Sequence, residues 1–124
     1  MNMKLEKLVK KLKALSDANR LKILYLLSLR PACVCELTAL LSLSQPTLTR
    51  HLQKLEDCGF IKARRYKFYQ IYSLACEDEE TKALAKLALS LVRDMPELNS
   101  LIETFREKSP YIPLEEDYGS AARN

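Results

Sequence analysis

The sequence holds only two glycines and one histidine in 124 residues, and no window of it approaches eighteen consecutive apolar residues. The missing apolar run excludes a membrane-spanning helix. The opening Met-Asn-Met-Lys-Leu-Glu-Lys-Leu-Val-Lys also lacks the continuous apolar centre of an export signal, so a cytoplasmic chain is expected. Scarce glycine leaves no glycine-rich loop to cradle a phosphate and, beside abundant Leu, Lys, Glu and Ala, favours helix. No Cys-x-x-Cys and no pair of carboxylates beside a base is found, so a thiol oxidoreductase has little to work with and a non-enzyme is expected. Four cysteines in a chain without export features point to reduced thiols used for metal or redox chemistry rather than to structural disulfides.

What is present is ordinary for a globular chain, with 48% hydrophobic and 29% charged residues. The length suits one domain, here residues 1–108. Residues 109–124, with two prolines and Glu115-Glu116-Asp117, read as an unstructured tail. The net charge of +4 is unevenly spread. Residues 1–76 hold fourteen Lys/Arg against five Asp/Glu, whereas residues 77–124 hold six against eleven. A basic front half suits a nucleic-acid face; scattered solvated charge is the plainer alternative.

Apolar periodicity orders the chain. Leu5, Leu8, Val9, Leu12 and Leu15 predict an amphipathic helix over residues 3–15. Ser16 and Asp17 then provide a stop and a new cap, and residues 19–29 carry apolar residues on more than one face, as a buried central helix does. Residues 34–41 predict a third helix and residues 44–58 a fourth, with Ser44 as N-cap, Pro46 in its first turn and Gly59 closing it. On the fourth helix Leu48, Leu52 and Leu55 face the core. Thr49, Arg50, Gln53 and Lys54 face away, with Gln45 and Thr47 projecting from the first turn. This polar, cationic side can enter a major groove and read base edges, Gln45, Thr49 and Arg50 above all. Two β-rich runs, 61–65 and 68–73, predict a hairpin turning near Tyr66 and Lys67, whose Lys62, Arg64, Arg65 and Lys67 would meet phosphate or a minor groove. A helix-turn-helix followed by a basic hairpin is a winged helix, mainly α in the order α-α-α-α-β-β-α-α. Leu84, Leu87, Ala88, Leu91, Val92 and Met95, then Leu98, Leu101, Ile102 and Phe105, give two further stripes, the last helix ending near Lys108. With the first helix these exceed what a small core needs, and homodimerisation through the N- and C-terminal helices uses them; an intramolecular core is the alternative.

Ala14-Leu-Ser-Asp-Ala-Asn-Arg-Leu-Lys-Ile-Leu24, Cys33-Val-Cys-Glu-Leu37, Ser44-Gln-Pro-Thr-Leu-Thr-Arg-His-Leu52 and Gly59-Phe-Ile61 resemble, in order, the second-helix signature, thiolate motif, recognition helix and wing entrance of the ArsR/SmtB repressors. The resemblance implies a homodimer that blocks transcription at an inverted-repeat operator in double-stranded DNA until a metal or metalloid ion releases it. Three departures stand out. Arsenite-type members carry a third cysteine where this chain has Thr38; zinc-type members hold His and Asp on the fifth helix, where this chain has no His; and the usual Glu-Gly wing turn is replaced by Tyr66-Lys67.

Thiolates are soft ligands, so Cys33 and Cys35 would take As(III) first, or Sb(III), Cd(II), Pb(II), Cu(I) or Zn(II). Residues two apart on a regular helix point to nearly opposite sides, so the pair can share an ion only if Cys33 lies in the non-helical entry or the first turn distorts. Ligation would then deform the reading unit. The helix N-terminus is expected to lower the thiol pKa. Plain packing is the alternative for both cysteines. Cys76 and Cys58 are the candidates for a third thiolate, and a redox-responsive repressor or a winged helix used only for protein contact are the alternative functions. His51, beside the buried side of its helix, reads as a hydrogen-bonded packing residue before a ligand or base contact.

Overall fold

The computed structural model describes residues 3–106, so the expected tail 109–124 and the last helix's end near Lys108 lie outside the described residues. Six helices and three short strands follow one another: α1 (Met3–Leu15), α2 (Ala18–Leu29), β1 (Ala32–Cys33), α3 (Val34–Leu41), α4 (Gln45–Asp57), β2 (Ile61–Tyr66), β3 (Tyr69–Leu74), α5 (Glu79–Val92) and α6 (Pro96–Arg106). This is the mostly helical winged helix-turn-helix expected. One element was not foreseen: β1 pairs antiparallel with β3, giving a sheet of order β1-β3-β2 in which Ala32 faces Tyr72 and Cys33 faces Ile71. Two residues carry no alternation to detect, and only the wing strand beside them makes them a strand.

Each helix boundary has a local cause. The Asp17 carboxylate accepts from the Arg20 amide at 3.0 Å and starts α2. Ser44 Oγ accepts from the Thr47 amide at 3.3 Å and starts α4. At the end of α4, Gly59 takes φ +84°, the Phe60 amide donates to Leu55 O and the Gly59 amide to Glu56 O, both at 3.0 Å, so two carbonyls that a helix end leaves unpaired find donors. The turn between α3 and α4 repeats this with a serine. Ser42 sits at φ 55° while the Leu43 amide reaches Thr38 O at 3.2 Å.

The core gathers Ile23, Leu24, Leu26 and Leu27 of α2, Leu37 of α3, Leu48, Leu52 and Leu55 of α4, and Phe60, Ile61 and Tyr72 at the base of the wing, all buried. α6 closes one side with Leu98 and Phe105. α5 divides its apolar residues differently from the single expected stripe: Thr81, Ala85 and Val92 are buried with Leu84, Ala88 and Leu89 half-buried, while Leu87, Leu91 and Met95 stand in solvent. Its sequence is apolar on two sides, and only the position of α2 beside it chooses the inner one. Leu5, Val9 and Leu12 of α1 are likewise exposed. Lys11 of α1 bonds both Glu80 at 2.8 Å and Asp78 at 3.2 Å, so the acidic start of α5 is neutralised by a side chain as well as placed at a favourable helix end.

Candidate DNA interface and thiol site

The segment from β1 to β3 brings both candidate sites into one unit. On α4 the buried leucines fix the helix's rotation and leave Gln45, Thr49, Arg50, Gln53 and Lys54 exposed, as their spacing predicts. Thr47 is half-buried and already engaged, accepting from Ser44 Oγ at 3.0 Å and from Arg50 Nη2 at 3.4 Å. Gln53 donates to Asp57 at 2.8 Å, an exposed bond that a stronger partner can replace. Arg50 therefore rests on Thr47 in the first turn of α4.

β2 and β3 pair from Ile61 opposite Leu74 to Tyr66 opposite Tyr69. The closing Tyr66–Tyr69 pair leaves a two-residue loop, Lys67-Phe68, so the turn lies one residue beyond the expected Tyr66-Lys67. Lys67 takes φ 55°, the only positive φ in the loop, at a place glycine usually occupies in two-residue hairpin turns. Without a glycine marker the turn's register could not be read from the residues. Lys62, Arg65 and Lys67 are exposed and Arg64 is half-buried. Strand alternation sends Lys62 and Arg64 to one face and Arg65 to the other.

His51 is a packing residue, as its place beside Leu52 predicts. Arg20 Nη1 lies 3.1 Å from His51 Nδ1; a guanidinium only donates, so Nδ1 accepts and the ring proton sits on Nε2. Burial, opposed by Asp17 and reinforced by the Arg20 charge, holds the His51 pKa below its ordinary 6.5. The 3.9 Å approach of Asp17 is thus a contact with a neutral ring rather than an ion pair. Arg20 itself, 9% exposed, donates to Ala14 O at 2.6 Å and Lys13 O at 3.2 Å, tying the end of α1 to the middle of α4.

The thiols are arranged less simply. Cys33 does lie in the non-helical entry, as the N-cap of α3 at φ −89° and ψ 162°, and it is 1% exposed, whereas Cys35 is exposed. Burial pushes the Cys33 thiol above its ordinary value, contrary to the lowering expected at a helix N-terminus, because desolvating a thiolate outweighs the end of a short helix. The Cys33 amide donates to Glu36 Oε1 at 3.3 Å, and Glu36 is gripped by Arg30 at 2.8 and 3.1 Å. Arg30 in turn donates to Phe105 O at 3.0 Å and stacks 3.8 Å above the Phe105 ring, so the cap of α3 is continuous with α6. Arg30, Glu36 and Arg20 were missed; Glu36 carried a signal, since an acidic residue three beyond the cap is half of a capping box.

Cys58 and Cys76 do not complete a three-ligand set with the pair: among the described residues no group of three His, Cys, Asp or Glu converges on one point. Cys58 Sγ donates to Lys10 O and Cys76 Sγ to Phe60 O, each at 3.6 Å, and burial raises both thiols. Thr38, at the position of the arsenite-type third cysteine, donates its hydroxyl to Cys35 O at 2.8 Å.

Residues 17–63 match the pattern that defines the bacterial regulatory protein, arsR family. A cadmium resistance transcriptional regulatory protein CadC homolog of Staphylococcus aureus is 38% identical over 84 residues, covering 67% of this chain and 68% of that protein. The arsenical resistance operon repressor of Bacillus subtilis is 38% identical over 81 residues, 64% of this chain and 75% of its own. Among solved structures, a homodimeric winged helix-turn-helix DNA-binding domain from Mycobacterium bovis superposes with a TM-score of 0.62 at 27% identity, over 74% of this chain and 83% of that one. Here the leucines of α4 and the β2–β3 pairing build a helix-turn-helix with a wing, and the chain is a DNA-binding transcriptional regulator of the arsR family.

Proposed function

We propose that this regulator is a homodimeric repressor, binding by recognition rather than turnover, that occupies an inverted-repeat operator until a soft ion held by Cys33 and Cys35 releases it. α4 reads the major groove through Gln45, Thr49 and Arg50, with Gln53 and Lys54 beside them, and Lys62, Arg64, Arg65 and Lys67 meet the phosphates. The exposed leucines of α1 and α5 form the dimer surface. As(III) is the first choice of ion, given an arsenical and a cadmium resistance regulator among the relatives, with Sb(III), Cd(II), Pb(II), Cu(I) and Zn(II) as alternatives.

One observation carries this reading. Cys33 is at once the cap of α3, the end of β1 bridged to Ile71 of the wing strand, and a buried side chain. In the resting fold its thiol is buried while Cys35 is exposed, so the two do not form a ready-made pair. To reach an ion beside Cys35, Cys33 must leave its place, loosening the first turn of the reading unit and the strand behind the wing together. A coupling of about 1 to 3 kcal/mol would lower operator affinity from several-fold to over a hundredfold. Because the Cys33 thiol must lose its proton against burial, ion affinity rises with pH through the thiol range.

The test is release of a duplex selected by the protein, titrated with arsenite, cadmium and peroxide, for the wild-type chain and for Cys33→Ser/Cys35→Ser. Ion-driven release lost in the variant supports the reading; undiminished ion binding by the variant overturns it. Release by peroxide alone would replace the ion with oxidation of the exposed Cys35.

A further inference from the structure

Phe68 is 91% exposed, more than any other large apolar side chain among the described residues, and it stands at the tip of the wing. A ring so placed supports nothing among the described residues. Its surroundings are cationic: Lys67 precedes it and lies 5.3 Å above the Tyr66 ring, and Lys62 and Arg64 on one face of the hairpin and Arg65 on the other run down behind it. Cations on both faces and an apolar ring between them at the end match a groove with phosphates on both walls and stacked bases at its floor.

We propose that Phe68 is a wedge: the wing tip enters the minor groove and the Phe68 ring presses into a base step, partly unstacking it and bending the duplex away. This rests on the DNA-binding reading above and adds to it a specificity contact that reads deformability rather than hydrogen-bonding edges. The minor groove of B-form DNA is about 6 Å wide and 7.5 Å deep. The body of the hairpin, whose strands are about 4.8 Å apart before side chains are counted, is too broad for it. The two-residue loop, among the shortest connections two antiparallel strands use, is not, and Lys67 takes its positive φ there. Of the loop's two side chains, Lys67 is long enough to reach back to a phosphate and Phe68 is left for the floor. A second copy of the chain has the α1 and α5 leucines to cover; Lys67 beside Phe68 and the three cations along the hairpin behind it favour a polyanion as its partner instead.

The experiment uses the full chain and the duplexes that the wild-type protein recovers from a randomised pool, with affinity read by fluorescence anisotropy and bending by energy transfer between dyes at the duplex ends. Phe68→Ala should bind about tenfold more weakly, in the range measured for loss of one base–aromatic stack. Its salt dependence should be unchanged, because no charge is removed, and the energy transfer should return towards that of the free duplex. Phe68→Leu, which keeps an apolar wedge, should retain most of the bend. Duplexes selected by the wild type should carry a flexible pyrimidine–purine step under the wing, and those selected by Phe68→Ala should not. An unchanged bend and affinity in Phe68→Ala would overturn the proposal, as would weaker binding with the bend intact or a changed oligomeric state, which would make Phe68 a protein contact. Failure of the wild-type chain to bind any duplex would overturn the DNA-binding reading itself, and the wedge with it.

Discussion

Replacing Arg20 with Met tests whether the recognition helix is held by the polar tie beneath it or by the leucine core alone. Arg20 donates to Ala14 O and Lys13 O, two carbonyls in the last turn of α1, and to Nδ1 of His51 on α4. Methionine keeps much of the stem's volume and removes all of these donors, leaving Ala14 O without the donor it has at 2.6 Å in a buried setting. Hydrogen bonds from a charged donor contribute about 1.5 to 3 kcal/mol each. Counting the two short ones and allowing for solvent at Lys13 O and for the methionine's own packing, the loss is about 3 kcal/mol. Against the 5 to 15 kcal/mol typical of domains, that is a large fraction. Urea unfolding followed by circular dichroism at pH 8 would measure it. A second readout is pH. In the folded protein the His51 pKa lies below its ordinary 6.5, chiefly through burial and with a contribution from the Arg20 charge. Below that ordinary value the unfolded chain takes up a proton that the folded chain refuses, so stability is complete above it and falls as pH drops from 6.5 towards the folded value. Without the Arg20 charge the folded pKa rises and that decline becomes shallower. A loss below about 1 kcal/mol, or an unchanged decline between pH 7 and 5, would refute the role assigned to Arg20.

Three other substitutions follow from the same geometry. Ser42→Gly relieves a left-handed serine at the end of α3 and should stabilise the chain by about 0.5 to 1 kcal/mol in the same unfolding assay, provided φ stays positive there. Arg65→Ala, exposed on the wing, should weaken binding to all duplexes alike and reduce the slope of log affinity against log salt by about 1, while Arg50→Ala should alter sequence preference; equal effects of both on every sequence would refute this division. Leu87→Glu/Leu91→Glu places charge on exposed positions of α5, so folding should be unaffected while self-association measured by sedimentation weakens at least ~tenfold. A wild-type chain that sediments as a monomer at micromolar concentration would remove the dimer from the mechanism.

The polar continuity from Cys33 to Phe105 links the cap of α3 to α6, which the cysteine spacing does not suggest. Glu36 accepts from the cap of α3 and from Arg30, and Arg30 ends on the backbone and ring of Phe105 in α6. A displacement of Cys33 would therefore disturb α6 as well as the wing, since both are bonded to the same two-residue strand or its cap.

Helix positions and the face that α4 turns to solvent were legible in the residues, because each rests on interactions spanning four positions or fewer: the Asp17 and Ser44 caps, the Leu48, Leu52 and Leu55 spacing, and the glycine after α4. The cysteine pair was legible as a position, at the entry to the third helix. Its state was not. That Cys33 is buried, bridged to Ile71 nearly forty positions on and raised in pKa depends on β3 arriving beside it, and desolvation by distant chain is a property no local pattern records. The same holds for α5, where tertiary packing against α2 turned Ala85 and Val92 inward and left Leu87 and Leu91 outside, and for the Arg20–His51 tie across thirty-one positions. Short-range hydrogen bonding and periodic hydrophobicity wrote the elements; long-range burial chose which of their side chains are sealed, which are charged and which are left to meet a partner.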